Sequence, residues 1–542
     1  MSTATIATTE APPPDPSARA EARRRTWILV AVCTGLVAVV ASVSGLNVAQ
    51  GQLAADLSAT QGQLLWVING YTIALAALLL PIGAVGDRWG RKQVLVAGLT
   101  IFAIANVAAA FSGTVNQLLA ARIVAGAAAA MIMPVTLSVI TSTFPEEDRD
   151  RAIGVWAGFA GAGGILGLLS SSIVVDSFTW PWVFAAPTVL ALGALGLTLA
   201  VVPRSREEQS GRFDTLGSFL SAIAVGGLVL AVHEGPEVGW TEPITVFGLT
   251  AGILGAAWFA WWESRVENPL LDLRVFRNRS LASASVVLMV LFAMMMGLFL
   301  VIVQYLQAVL GYSAIKASLG LMPMAAVMMP LSTMAPRIAS RVGYRTMFVV
   351  GMGLFATGLA MMATMASVDG GYWSVFPGLM VLGIGMGLAQ TPATTAITAS
   401  LPVEEQGVAS ALNDTVREFG GALGIALVGS ILSAGYRAGL GSSADALPPQ
   451  AAEAVESGIG GAAFVAQQAG AAGDQIMTVA RAAFVDGLGQ ALWVAAGVSL
   501  LAAVASFFWT PAQHHAADGS LEEIDDLEVL EHSIEAEAAL VD

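Results

Sequence analysis

Long apolar runs separated by short charged clusters set the pattern of this chain. Fourteen runs stand out, at about 27–46, 64–83, 94–112, 117–141, 151–174, 180–201, 214–233, 244–262, 283–309, 317–338, 344–366, 373–399, 407–432 and 484–509. Most are close to the roughly 20 residues that a helix needs to cross about 30 Å of hydrocarbon. The pattern therefore predicts an all-α polytopic membrane protein with 14 transmembrane helices.

The break after the second run is the sharpest. Gly83-Ala84-Val85-Gly86-Asp87-Arg88-Trp89-Gly90-Arg91-Lys92 carries four of the chain's charges, whereas Leu64 to Ile82 carries none. Charge is expelled from hydrocarbon and Lys/Arg collects on the inner side, so a tight cytoplasmic turn is expected here. Arg149 and Arg151, Arg204, Arg206 and Arg212, Arg265, Arg274, Arg277 and Arg279, and Arg341 and Arg345 fall in loops of the same parity. The opposite loops hold little beyond Lys316, Arg437 and Arg481. Both termini are thus expected in the cytoplasm, with the protein in the inner (plasma) membrane. Arg23-Arg24-Arg25 precedes a first run too long for a signal peptide and followed by further spans, so that run reads as a retained helix.

Composition fits the pattern. Hydrophobic residues make up 56% of the chain and charged residues 12%, against about 25% charged in soluble proteins; mean hydropathy is +0.74. The formal charge of −15 is concentrated in a C-terminal tail with ten acids and no Lys or Arg. Nothing is basic enough to hold nucleic acid. The single Cys33 rules out an internal disulfide and a thiolate metal site. His233, His514, His515 and His532 lack ligand spacing, and no nucleophile set stands out, so an enzyme is not expected. No cofactor or metal is expected either.

The chain repeats itself at low fidelity. Phe144-Pro145-Glu146-Glu147 is echoed by Leu401-Pro402-Val403-Glu404-Glu405, and Gly163, Gly164 and Gly167 by Gly420, Gly421 and Gly424, about 257 positions later. Arg341-Val342-Gly343-Tyr344-Arg345 echoes Arg88-Trp89-Gly90-Arg91. Two six-helix halves with two inserted spans would produce these offsets. The division is then a cytoplasmic tail over 1–26, a lobe over 27–201, two linker helices within 202–279, a second lobe over 280–509, and an acidic cytoplasmic tail over 510–542. Residues 434–483 form a long outer loop, read as a linker in preference to a short amphipathic hairpin.

Several motifs carry a resemblance. The G-x-x-x-D-R-x-G-R-K order from Gly83 to Lys92 is similar to the loop signature of the major facilitator superfamily. Leu119-Ala120-Ala121-Arg122-Ile123-Val124-Ala125-Gly126 resembles its fourth-span motif. Trp66-Val67-Ile68-Asn69-Gly70-Tyr71, Gln304-Tyr305-Leu306-Gln307 with Gly311-Tyr312-Ser313, and Phe213-Asp214-Thr215-Leu216-Gly217 resemble the fourteen-span drug:proton antiporter branch. The resemblance implies a major facilitator fold and proton-driven export of small molecules.

Asp414 and Glu418 are the leading candidates for proton coupling. They lie four apart on one face of an apolar, glycine-rich helix, where an unpaired anion costs several kcal/mol. Antiporters resembling this chain often carry acids at these positions. Pairing with Arg417 is the structural alternative. Arg122 is the third candidate, either as partner to a carboxylate or as an anchor to backbone carbonyls. Gly83, Asp87, Arg88, Gly90, Arg91 and Lys92 form a candidate inside gate. Trp66, Asn69, Tyr71, Met295, Gln304, Tyr305, Gln307 and Gln390 are candidate substrate-lining residues, with a methionine-rich ninth and tenth span able to adapt to dissimilar ligands. Pro323, Pro330, Pro336 and Pro392 are expected to kink their helices.

Departures from the family pattern point to a second reading. Ser42 stands where the first span usually carries an Asp, Gly167-Leu168-Leu169-Ser170-Ser171-Ser172 departs from Gly-Pro-x-x-Gly-Gly, and Trp180-Pro181-Trp182 lacks the usual central Arg. The first reading is a proton-coupled exporter of lipophilic or cationic compounds. The second is a dedicated exporter or flippase for a native lipid or secondary metabolite. Partners are expected to be the cargo and membrane lipids, with the protein a monomer.

Overall fold

The computed structural model describes residues 16–204, 213–443, 447–470 and 473–511. These residues are helical, with no strand among them. In chain order the helices are α1 (Pro16–Leu57), α2 (Gln61–Trp89), α3 (Arg91–Ala110), α4 (Val115–Thr143), α5 (Glu146–Ser177), α6 (Ala185–Val201), α7 (Thr215–Val238), α8 (Pro243–Glu263), α9 (Arg279–Gln304), α10 (Ala314–Met365), α11 (Phe376–Thr398), α12 (Gln406–Leu440), α13 (Pro449–Ser457), α14 (Ile459–Gln468) and α15 (Gly473–Trp509). Thirteen of them, all but α13 and α14, are long and apolar enough to cross a membrane. The acidic stretch after Pro511 lies outside the described residues, as does most of the N-terminal tail.

Local sequence sets the helix ends. Thr60 caps α2 in a box with Gln63, each side chain meeting the other's backbone N–H, and Thr114, Asp214, Asn278 and Ser313 cap α4, α7, α9 and α10. Such caps satisfy end N–H groups at about 1 kcal/mol each. The expected spans 317–338 and 344–366 run together as the 52 residues of α10, which bends where Gly343 takes φ 79° and ψ 158°. Gly90 makes the matching break between α2 and α3 at φ 107°. Positive φ favours glycine at both places. The basic residues beside these breaks act alike: Lys92 Nζ donates to Leu199 O (3.0 Å) and Val202 O (2.8 Å) at the end of α6, and Arg345 Nε to Thr510 O (2.8 Å) at the end of α15.

The repeated glycines also do the same work twice. Gly163 and Gly167 bring α5 against Val40 and Ala41 of α1, while Gly420 and Gly424 bring α12 against Met289 and Ala293 of α9. At Gly167, Gly420 and Gly424 a Cβ would overlap the neighbouring backbone. In a membrane, where lipid is as apolar as leucine, close approach of small residues supplies much of the association energy. One apolar core draws only on residues between Ile28 and Val202. A larger one draws mainly on residues from Leu270 to Ala503. Large side chains such as Phe508, 75% exposed, and Leu192 face outward, as a lipid-facing belt requires.

The inserted pair α7 and α8 packs through Gly227, Gly248, Gly252 and Gly255. α7 then lies on α2, with Gly226 against Ala77. It also reaches α12: Ile73, Ala76, Val225, Val229, Val232, Phe419 and Ala422 form one cluster from the three helices. α7 thus covers the seam between α2 and α12.

The preference for a linker over 434–483 is overturned. α12 continues to Leu440 and is followed by the hairpin α13–α14, whose Val455, Ile459 and Ala462 are buried, with Tyr436 Oη donating to Val455 O at 3.1 Å. The alanine-rich composition hid an amphipathic face made of few residues. The stacking of α7 on α2 predicts that Ala77→Cys with Gly226→Cys forms a disulfide on mild oxidation, visible as a mobility shift on a non-reducing gel; buried Cys33 is the only native thiol.

Candidate functional site

The candidate gate sits where α2 meets α12. Gly83 and Gly407 approach so closely that a Cβ on either would overlap the other's carbonyl oxygen. One turn further along α2, the Asp87 carboxylate accepts from Gly407 N (2.9 and 2.8 Å) and Val408 N (3.2 Å) at the start of α12. A helix N-terminus favours an anion, because its first N–H groups have no partner within the helix. Arg91 closes the arrangement, its Nε and Nη2 donating to Asp87 Oδ1 at 3.2 and 3.0 Å. Both side chains are buried. The fragment Gly83 to Lys92 therefore divides its labour: Asp87, braced by Arg91, ties α2 to the start of α12, Gly90 turns the backbone and Lys92 holds α6.

Asp414 lies deeper along α12 and is fully buried. Its Oδ1 accepts from Arg417 Nη1 and from Asn413 Nδ2, both at 3.2 Å. Arg417 is buried too, its guanidinium 4.3 Å from the Phe292 ring and 5.3 Å from the Trp156 ring. Trp156 Nε1 donates to Thr136 Oγ1 at 3.1 Å. Beside Trp156, Gln390 Nε2 donates to Ala157 O (3.1 Å), joining α11 to α5. Gly383 against Met324 and Gly387 against Met328 set the register of α11 on α10, which puts Thr391 level with Ser332, and Ser332 meets Gly154 of α5.

What distinguishes this region is its unpaired polar atoms. Ser332 Oγ, Gln390 Oε1, the hydroxyls of Thr391, Thr394 and Thr395, Ser410 Oγ, Asn413 Oδ1, Asp414 Oδ2 and Arg417 Nε are all buried with no hydrogen-bond partner among the described residues. Each would cost about 1–3 kcal/mol in a dry interior. α10, α11 and α12 therefore each carry buried polar groups that are unpaired in this structure, and two of the helices reach α5 beside them through Gln390 and Ser332. The sequence signal for them was Gln390-Thr391-Pro392-Ala393-Thr394-Thr395, a polar run inside an apolar span. Only Gln390 was singled out from it, because hydroxyls are common in membrane helices and Thr394 and Thr395 reveal nothing until the helix is rotated into place.

Arg122 occupies a separate site between α1, α2 and α4. Nη1 donates to Ser42 Oγ at 2.9 Å, Nε lies 3.4 Å from Val67 O, and the guanidinium sits 4.1 Å from the Tyr71 ring centroid. Nη2 has no partner, and no carboxylate reaches ion-pair distance among the described residues. Of the two expectations for Arg122, the geometry is that of an anchor. Ser42, in the position where an acid was expected, is the group that receives it, and Ser42 in turn donates to Asn106 Oδ1 at 3.3 Å.

The expected lining residues do not converge on one pocket. Tyr71 is fully buried behind Arg122, its Oη donating to Val39 O at 3.3 Å. Asn69 faces Glu234 of α7. Trp66 is half-buried and Met295 is packed into the apolar core. Gln304 and Tyr305 lead into a π-helical turn, Tyr305–Val309, where Tyr305 Oη meets Ser367 O and Ser374 Oγ at 2.8 Å and Gln307 is exposed. The register of α9 on α12 places Tyr305 level with Tyr436, about 33 Å along the helix from Asp414 at 1.5 Å per residue. That is the thickness of the hydrocarbon, so a single ligand does not touch both. Among the methionines, Met328 and Met329 meet Gly161 and Gly158 of α5 and Met386 also meets Gly161, where the halves touch.

A bundle of membrane-length helices, built twice over and burying unpaired polar groups near where the halves meet, has the architecture of a secondary transporter. The chain belongs to the major facilitator superfamily, whose sequence profile it matches over residues 30–425. It is 30% identical over 514 residues to the multidrug resistance protein Stp of Mycobacterium tuberculosis, covering 92% of this chain and 95% of Stp. It is 33% identical over 490 residues to the multidrug efflux pump LfrA of Mycolicibacterium smegmatis, covering 88% and 95%. In fold it resembles the proton:xylose symporter XylE, with a TM-score of 0.58 at 13% identity over 91% of this chain and 97% of that one.

Two outcomes follow from this geometry. Asp87→Asn is expected to weaken the closed seam by about 2 kcal/mol, roughly thirty-fold in the closed-to-open ratio; the labelling rate of an Ala411→Cys reporter by a water-soluble maleimide measures it. Ser42→Asp, by giving Arg122 a charged partner, is expected to raise the unfolding midpoint in detergent, by about 1–3 kcal/mol of stability, whereas Ser42→Ala lowers it.

Proposed function

We propose that this protein is a proton-coupled secondary exporter of lipophilic or cationic small molecules, working by alternating access. The observation that carries the reading is a buried carboxyl, its arginine partner and a row of unpaired hydroxyls inside a membrane bundle, which we take to line a polar chamber near the contact of the halves. The relatives' names, a multidrug resistance protein and a multidrug efflux pump, support export of drug-like compounds. Counting α10 as two spans about Gly343 gives 14, arranged as six, two and six over 27–201, 202–279 and 280–509. The alternation of basic loops supports cytoplasmic termini and a plasma-membrane location, and the protein acts as a monomer without cofactor.

In this reading Asp414 is the proton carrier. Ionised, it is paired with Arg417; on taking a proton it releases Arg417, and the freed guanidinium and vacated hydroxyls re-pair with water or cargo. Glu418, on the same face of α12, is the second acid, and Arg122 holds α1, α2 and α4 in one arrangement. Asp87, Arg88 and Arg91, with Gly83, Gly90 and Lys92, form the cytoplasmic gate, closed in this structure by the bonds from Gly407 and Val408. Chamber residues Gln390, Thr391 and Thr394 and the methionines beside them meet the cargo. One proton crossing about 100 mV supplies about 2.3 kcal/mol, enough for a gradient of roughly fifty-fold.

A dedicated exporter or flippase for a native lipid or secondary metabolite is the second reading. Arg122 without a carboxylate partner favours it, since the usual first-span acid is missing. Transport of a cationic dye compared with that of a fluorescent lipid analogue separates the two. For the first reading, Asp414→Asn is expected to reduce pH-driven efflux from proteoliposomes to background while exchange of labelled for unlabelled cargo continues. Undiminished pH-driven efflux rejects Asp414 as carrier.

A further inference from the structure

We infer that Glu234, with Asn69 and Thr245, forms a second binding site for an organic cation, outside the chamber and at the crossing of α2, α7 and α8. Glu234 is in the last turns of α7 yet only 4% exposed, and the Asn69 side chain on α2, 8% exposed, faces it. No Lys, Arg or His lies at ion-pair distance among the described residues. The packing of Gly227 against Gly252 and of Ala231 against Gly248 sets Thr245 level with Glu234. Thr245 is fully buried and its Oγ1 has no partner. Trp240 folds back over Gly235, with about half of its surface open.

A carboxylate here opposes the negative end of its own helix and lacks a counter-charge. Its neighbours are an amide, a free hydroxyl, an indole face and, one turn on, the Glu237 carboxylate, which adds to the negative charge a cation would meet. That set matches an ammonium or a lipophilic cation: the carboxylate meets the charge, the hydroxyl accepts from an N–H, and the indole covers the apolar part or takes a cation–π contact. A metal ion fits poorly, since Glu234 and Glu237 are not joined by a third His, Cys, Asp or Glu in a metal-holding group among the described residues. Glu234 escaped notice in the sequence because His233-Glu234-Gly235-Pro236 ends an apolar run and reads as the start of a solvated loop.

The role of the site in export rests on the reading above, whereas binding does not. The test is therefore equilibrium binding of labelled tetraphenylphosphonium to purified protein in nanodiscs of phosphatidylglycerol, with no proton gradient. Glu234→Gln is expected to lower affinity roughly tenfold or more, with Glu234→Asp restoring part of it and Thr245→Val giving a smaller loss. Unchanged affinity in Glu234→Gln overturns the proposal. Should Glu234→Gln unfold, Asn69→Ala, which removes the positioning amide from the α2 side, must show the loss instead. Adding phosphatidylethanolamine identifies the source of the cation: competition points to a lipid headgroup, its absence to a free cation, and both sustain the site. Failure of Asp414→Asn to affect efflux would leave this result standing.

Discussion

A charged group inside hydrocarbon must find a partner, and this constraint shapes the interior more than any other. Asp87 meets it with the open end of α12 and Arg91, Asp414 with Arg417, and Arg122 with a serine, a carbonyl and an aromatic ring. The three solutions differ in what they cost to undo. Asp87 is tied by charge-assisted bonds across the seam, so parting the helices leaves the Gly407 and Val408 N–H groups without partners and the carboxylate with Arg91 alone unless water arrives at once. As the proposed gate, this contact would be cooperative with solvent, opening where water can follow.

Glycine supplies the complementary constraint. The pairs α1 with α5 and α9 with α12 touch backbone to backbone at residues that recur between the halves, and the chain bends at Gly90 and Gly343, where φ is positive. Tight, featureless contacts of this kind hold each half together without directional bonds. Directional bonds within a half, such as Arg122 to Ser42 and Lys92 to the end of α6, add to them, while Asp87 on Gly407 and Gln390 on Ala157 join one half to the other, where a transporter needs two alternative arrangements.

Much of this was legible in the sequence, and the parts that were not fail for physical reasons. Hydrophobic runs gave the helices because length and charge exclusion are one-dimensional properties. The repeat gave the paired glycines because their spacing survives even where identity does not. The lining set was less legible: Tyr71, Tyr305 and Gln307 are polar or aromatic at plausible places, but which face of a helix they occupy depends on neighbours. Tyr305 turned out to be tied to Ser367 and Ser374, far from Asp414. Conversely, Thr391, Thr394 and Thr395 carried no charge to draw attention, and their importance comes from having no partner.

The inserted helix α7 offers a last consequence. It grips α2 by the close fit of Gly226 on Ala77, but meets α12 through Val229, Phe419 and Ala422, side chains with no hydrogen bond to break. Apolar contact is non-directional, so shear along it exchanges one greasy surface for another at little cost. In the proposed alternating-access cycle α7 would thus serve as a bearing, shielding one flank of the joint from lipid while adding little friction to its stroke.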